Sequence, residues 1–215
     1  MKIGILISGR GSNLKSLIEA CAAPGFPAEI VTVISNRPEA AGLAIARAAG
    51  IPALAIDHKL YPGREAFDAE LDRALEAAGV ELVCNAGFMR ILSDGFVARW
   101  HNRQINIHPS LLPAFKGLHV HRRVLEEGVR ITGCTVHFVR PAMDEGPIIA
   151  QAAVPVRQDD TPETLAARVL EAEHLLYPAA LGLVASGRAR VTGEIVEIDG
   201  MAGSRCGPLF VPPLD

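Results

Sequence analysis

What most constrains this chain is a rhythm. Short β-branched apolar runs alternate with helical stretches through its first half: an apolar run at 3–7, a helical stretch at 13–22, a run at 30–35, a helix at 41–49 and a run at 53–56. Strands separated each time by a helix lie parallel, so the pattern calls for an α/β fold with a mostly parallel twisted sheet and helices on both faces. It continues with an amphipathic helix at 64–78, a run at 82–86, a short helix near 93–99 and a run at 104–108, which makes five strands. The second half differs. Runs at 131–139 and 148–156 are separated only by the turn-rich segment Arg140-Pro141-Ala142-Met143-Asp144-Glu145-Gly146-Pro147, short enough for a hairpin-like connection, so the sheet becomes antiparallel there. A long helix from about 161 to 187 follows, capped by Asp160 or Thr161 with Pro162 in its first turn, and Pro178 kinks or divides it. Residues 190–198 alternate as an edge strand, and 200–215 read as coil. No internal repeat is present.

Composition narrows the classes of partner. With 49% apolar and 21% charged residues, the 215-residue chain can offset its ordering entropy by burial, which excludes disorder. Its 24 acidic and 21 basic residues leave a net charge of −3, so no global field draws it to nucleic acid or an anionic bilayer. An anionic ligand must therefore be held locally. Cys21, Cys84, Cys134 and Cys206 form no C-x-x-C pair, and the first three lie in apolar segments, which reads as buried free thiols in a reducing compartment. The N-terminus offers no signal-like apolar region and no run is long enough to span a bilayer, so a cytoplasmic protein is expected.

Three clusters carry candidate chemistry. The first strand ends in Ser8-Gly9-Arg10-Gly11-Ser12-Asn13-Leu14, where glycines let the backbone turn and present N–H groups at a helix N-terminus, a setting that suits a phosphate as well as an ordinary strand-to-helix turn. It lacks the third glycine of the dinucleotide fingerprint and the G-K-[ST] ending of a P-loop. In the second cluster, Asn106 and His108 stand two apart on a strand and share its face at the C-terminal end, where open α/β sheets place their ligands. An amide beside an imidazole, stiffened by Pro109 and Pro113, suits a pair of donors aimed at one oxygen. In the third, Thr135 and His137 share the polar face of a strand that leads into the loop carrying Asp144. A carboxylate there would favour the imidazolium form of His108. His119 and His121 match no closed zinc spacing and no H-E-x-x-H helix, so no metal is expected. A G-x-S-x-G elbow is lacking, and Arg122, Arg123, Arg188 and Arg190 read as solvated surface.

Together, Ile7-Ser8-Gly9-Arg10-Gly11-Ser12-Asn13-Leu14, Ile34-Ser35-Asn36-Arg37, Ala86-Gly87-Phe88-Met89-Arg90-Ile91-Leu92, the Asn106-to-Pro113 string and Asp144-Glu145-Gly146-Pro147-Ile148 resemble the phosphoribosylglycinamide formyltransferase family over residues 1–198. The Asn-x-His-Pro-Ser-Leu-Leu-Pro string alone marks a wider group of formyltransferases and deformylases. The Ser-Gly-x-Gly-Ser-Asn loop and Gly117-Leu118-His119-Val120-His121 narrow it to the glycinamide ribonucleotide branch. The resemblance implies a Rossmann-like formyltransferase domain at 1–199, with a phosphate-binding half at about 1–100, a folate half at about 101–199 and a tail at 200–215.

It also implies roles. The catalytic trio falls on Asn106, His108 and Asp144, and the ribonucleotide on Gly11, Ser12, Asn13 and Glu173. The folate falls on Arg64, Met89, Arg90, Ile91, Leu92, Asn106, Arg140 and Met143. The implied reaction moves the formyl group of 10-formyltetrahydrofolate to the amine of glycinamide ribonucleotide in de novo purine synthesis. Its partners are small molecules rather than nucleic acid or membrane, in a monomer or homodimer without metal. Leu170 departs from the family, where that helix position is often polar, and residues after Gly200 match nothing. Formyltetrahydrofolate deformylase is the alternative, a hydrolase with an added N-terminal domain that is expected to be absent because the first strand begins at Lys2. Methionyl-tRNA formyltransferase adds a basic C-terminal domain for which this chain has neither length nor charge. A non-enzymatic nucleotide-binding module would leave Asn106, His108 and Asp144 unexplained.

Overall fold

The computed structural model describes residues 1–200 and 209–211. Strands β1 (Lys2–Ile7), β2 (Glu29–Ser35), β3 (Ala53–Ala55), β4 (Leu82–Asn85) and β5 (Gln104–His108) alternate with helices α1 (Ser12–Cys21), α2 (Ala41–Ala48), α3 (Arg64–Ala77) and α4 (Asp94–Arg99). Next come α5 (Val120–Glu126), β6 (Ile131–Phe138), β7 (Ile148–Pro155), α6 (Pro162–Ala185) and the short strands β8 (Ala189–Thr192) and β9 (Ile195–Ile198). One seven-stranded sheet runs in the order β3-β2-β1-β4-β5-β6-β7. Its first five strands are parallel, β6 runs antiparallel to β5, and β7 runs antiparallel to β6. The short link between β6 and β7 permits no parallel crossover.

Period-2 alternation divides the core between the two faces of the sheet. Ile3, Ile5 and Ile7 of β1 pack with Leu14, Leu17, Leu43, Tyr177 and Leu181 under α1, α2 and α6. Leu6 points the other way, into a cluster with Phe67, Leu71, Leu75, Phe96 and Trp100 under α3 and α4. The sheet and the first cluster run without interruption across residue 100. The folate candidates Arg64 and Met89 to Leu92 lie in the same first hundred residues as the glycine-rich turn.

Helix α6 opens with a reciprocal capping box, in which the Thr161 hydroxyl accepts from Thr164 N–H and the Thr164 hydroxyl accepts from Thr161 N–H. It continues through Pro178 as one helix of 24 residues rather than dividing. The buried face Leu165, Val169, Glu173, Tyr177, Leu181 and Val184 holds its course against the sheet. Tyr177 donates to Asn85 O at 3.0 Å, which fastens α6 to the end of β4.

Two expectations are corrected, and one helix is added to the sequence reading. Residues 190–198 are not one edge strand: β8 and β9 pair antiparallel as a separate two-stranded sheet, because Gly193 adopts φ 63° and turns the chain back. Helix α5 has no counterpart in the sequence reading, since it starts at His119 in a left-handed conformation with no side-chain cap to announce it. Cys84 and Cys134 are buried free thiols as expected, but Cys21 is only partly covered. Cys206 lies outside the described residues. No described helix is long and apolar enough to cross a membrane.

Candidate active site

The central strands β1 and β4 are neighbours whose following connections leave in opposite directions, through α1 toward β2 and through α4 toward β5. A crevice opens at such a switch point, beyond the C-terminal ends of the strands. Ser8 fastens its walls together. Its hydroxyl donates to Asn36 Oδ1 beyond β2 at 2.6 Å and accepts from Met89 N–H beyond β4 at 2.7 Å. The resemblance assigns no site role to Ser8 or Asn36, although both lie in strings that carry it. The signal for both was a polar residue placed at the very end of an apolar strand.

The glycine-rich turn forms one side of the crevice. Gly11 takes φ +78°, and a Cβ there would lie 2.8 Å from Gly42 Cα on α2, so the turn packs backbone against backbone. Gly42 N–H donates to Gly9 O at 3.1 Å, which turns that carbonyl toward α2. No side chain caps α1, so its first-turn N–H groups and positive dipole end are left for a ligand. A cleft of ≈ 380 Å³ is lined here by Ser8 to Asn13, Arg37, Ala86, Gly87, Met89, Ile107, Pro109 and Glu173. Asn13 donates its amide to Glu173 Oε2 at 2.7 Å, and both side chains are buried. Burial pushes the Glu173 carboxyl above its ordinary range, and the bond from Asn13 pulls it partly back. The four ribonucleotide candidates therefore meet in one cleft. Leu170, half-buried one turn earlier on α6, is not among its lining residues.

The catalytic candidates stand at its edge. His108 Nδ1 lies 3.3 Å from Asp144 Oδ1, and His108 Nε2 lies 3.0 Å from Phe115 O. Both ring nitrogens thus face acceptors, an arrangement that a doubly protonated ring satisfies completely. Asp144 Oδ2 also accepts from Gly117 N–H at 2.7 Å, so the carboxylate joins the loop after β6 to the loop before α5. Asn106 stands opposite His137 across the β5–β6 ladder, with Nδ2 and Nε2 3.2 Å apart. His137 Nδ1 lies 3.0 Å from Phe138 O, to which it donates, so its Nε2 carries the lone pair that receives the Asn106 amide. Burial holds the His137 imidazole below its ordinary range. Thr135 faces His108 and supports the proline-rich loop, donating to Ser110 O at 2.7 Å and accepting from Leu112 N–H at 3.0 Å. The sequence paired Asn106 with His108 toward one oxygen. At rest each is engaged elsewhere, through His137 and the Phe115 carbonyl.

The folate candidates are dispersed. Met89 and Ile91 are exposed apolar side chains, whereas Leu92 is buried with Phe96 and Val97. Arg90 lies over the Phe67 ring at 4.9 Å, and its buried Nε has no partner. Arg64 lines a different groove, between α3 and α4. Arg140 is held by Glu194 at 2.9 Å and by Asn102 at 2.9 Å, which anchors the base of the Asp144 loop on the β8–β9 hairpin. Met143 is exposed beside Gly117. Among the described residues, no three metal-ligating side chains converge around His119 and His121 or elsewhere.

A family described as formyl transferase matches residues 1–181. The trifunctional purine biosynthetic protein adenosine-3 of Gallus gallus is 56% identical over 198 residues, covering 92% of this chain and 20% of that protein. The chain thus spans about a fifth of the length of that relative. Phosphoribosylglycinamide formyltransferase of Escherichia coli K12 is 42% identical over 200 residues, covering 93% of this chain and 94% of that one. Among solved structures, glycinamide ribonucleotide transformylase 1 from Symbiobacterium toebii superposes with a TM-score of 0.90 at 50% identity, covering 92% of this chain and 93% of that one.

Proposed function

The chain belongs to the formyl transferase family, and from that premise we propose that it moves the formyl group of 10-formyltetrahydrofolate to the amine of glycinamide ribonucleotide. The products are formylglycinamide ribonucleotide and tetrahydrofolate, as required by de novo purine synthesis. The observation that carries this reading is an adjacency: Ile107 and Pro109 line the glycine-rich cleft, and His108 stands between them on the Asp144 carboxylate. A phosphate held at Gly11, Ser12 and Asn13, with its ribose toward Glu173, extends the substrate's amine along that cleft toward the β5 end.

The formyl donor supplies an activated one-carbon unit, and the protein supplies orientation and charge. Attack of the amine on the formyl carbon places negative charge on the former carbonyl oxygen. Asn106 and His108 donate to that oxygen. For His108 the donor atom is Nε2, which leaves the neutral Phe115 carbonyl for a charged acceptor, so the gain arises as charge develops. Asp144 holds the other nitrogen and takes part in moving the amine proton to the leaving nitrogen. A flat pterin suits the exposed apolar pair Met89 and Ile91, and an anionic end suits the unpartnered Arg90 Nε. Arg64, Leu92, Arg140 and Met143 complete the folate assignment, with Leu92 and Arg140 acting from beneath as supports. The substrates are small molecules, without nucleic acid, membrane or metal, for a monomer or homodimer in the cytoplasm. A hydrolase using water in place of the amine would leave the glycine-rich cleft without a ligand.

Incubating the purified chain with both substrates and no added metal tests the reading. Stoichiometric formyl transfer to the ribonucleotide is expected. Release of formate without transfer would overturn it.

A further inference from the structure

We propose that Arg10 and Arg37 form a guanidinium pair that selects the doubly charged phosphomonoester of the ribonucleotide, adding charge recognition to the backbone N–H groups of the glycine-rich turn. This rests on the ribonucleotide reading above. Both arginines are exposed and line the cleft. Arg99, Arg122, Arg140, Arg168 and Arg190 are each held by a carboxylate. Among the described residues, Arg10 and Arg37 have no such partner, so their charge is available to a ligand.

Their positions are fixed from below. Strands β1 and β2 are parallel neighbours with Ile7 beside Ser35, so the two arginines follow adjacent strand ends at the same end of the sheet, and both line the cleft there. The Ser35 hydroxyl accepts from Arg37 N–H at 3.0 Å and donates to Arg37 O at 2.8 Å, which holds that backbone in one place. Arg10 sits between Gly9, tied to Gly42, and Gly11, packed on Gly42.

The charge balance gives the pair its purpose. A helix N-terminus contributes roughly half a positive charge, whereas a phosphomonoester carries about −1.5 to −2 at neutral pH. Among the described residues, Glu173 is the one carboxylate lining the cleft, and it opposes the anion further. The dipole alone leaves most of the ligand's charge uncompensated. Two guanidiniums compensate it, and their planar forks match phosphate oxygens in a way that a carboxylate or an uncharged sugar does not reproduce.

Arg10→Gln and Arg37→Gln test this. Each is expected to raise the KM for glycinamide ribonucleotide roughly tenfold, with the formyl-donor KM and kcat near the parent values, because a charge-assisted bond is lost in ground state and transition state alike. The inhibition constant for inorganic phosphate should rise in parallel, and Arg→Lys at either position should restore only part of it. Variants that keep both the ribonucleotide KM and the phosphate inhibition constant would overturn the pair and leave the turn's N–H groups as the sole phosphate holders. Inorganic phosphate titrated against the Gly11, Ser12 and Asn13 amide signals provides a readout independent of turnover. A parent chain that binds phosphate in an arginine-dependent way yet transfers no formyl group would overturn the functional reading and not the arginine pair.

Discussion

Asn13 on the first helix donates its amide to Glu173 on the last at 2.7 Å, joining two walls of the glycine-rich cleft across 160 positions of sequence. The bond joins two otherwise costly groups. A carboxylate removed from water is stabilised by a donor, and a buried amide gains an acceptor.

Glu173→Gln separates burial from binding. Burial raises the Glu173 carboxyl above its ordinary value of 4.5. The stability that such a group contributes is fully present below its unfolded value and is lost as pH rises through the raised folded one. Glutamine keeps an oxygen for Asn13 and does not titrate. Relative to the parent, the variant is therefore expected to gain melting temperature on going from pH 4 to pH 7, while its ribonucleotide KM rises by roughly tenfold. Melting curves that shift equally at both pH values would refute the electrostatic part.

His137 sets the direction of the Asn106 amide. Burial is the main cause of its lowered pKa, opposed by the Phe138 carbonyl and Asp144 and reinforced by His108. Stability from this depressed group is present above its ordinary 6.5 and is lost as pH falls through the folded value. Protonation puts an N–H on Nε2, facing the Asn106 donor, so the amide must turn over. An acid limb in kcat is expected below pH 6.5. His137→Gln, which offers an acceptor that does not titrate, should remove that limb, and a limb unchanged in the variant would clear His137 of the role.

Asp144→Asn keeps an oxygen for Gly117 N–H and removes the charge facing His108. The rate of formyl transfer at neutral pH is expected to fall by about 10²-fold or more, as for loss of a group that acts in proton transfer. Both KM values should stay within a few-fold of the parent. A rise in either KM that accounts for the whole loss would instead make Asp144 a binding residue.

Leu92 and Met89 separate packing from ligand contact. Leu92→Ala opens a cavity beside Phe96 and Val97 and should cost about 2–5 kcal/mol of stability. Met89 is 68% exposed, so Met89→Ala should leave the melting temperature nearly unchanged while weakening folate analogues. Calorimetry with binding titrations on both variants checks the contrast, and a reversed pattern would exchange the two assignments.

Residues whose role depends on local pattern were legible in the sequence. Ile3, Ile5 and Ile7 announce a strand by alternation, and Thr161-Pro162 announces α6 by its cap. The glycine turn and the Asn106–His108 pair were visible from composition and period. Roles that depend on a distant partner were not. Arg140 has a folate role only through the resemblance, and no local signal shows that the hairpin brings Glu194 to it; alternation over 190–198 likewise gives no sign that Gly193 reverses the chain. Leu92 looks equivalent to Met89 and Ile91 in the string Met89-Arg90-Ile91-Leu92, yet the chain turns that side chain alone into the core. His137 stood out only as a polar residue on a strand. Its effect on Asn106 needs the β5–β6 register, which no local signal supplies.

The contact between Gly11 and Gly42 has a consequence for anyone who would move or rebuild this turn. Neither backbone can acquire a side chain without displacing something, since a Cβ on Gly42 would meet Ile7 Cδ1 at 2.5 Å and Gly11 Cα at 3.3 Å. The two positions therefore behave as a single address. A library that varies Gly11 by itself samples mostly failures, and a graft of the Ser8–Asn13 string onto another scaffold arrives without the surface that shapes it. The transplantable unit is the first strand, the turn and the start of the second helix together.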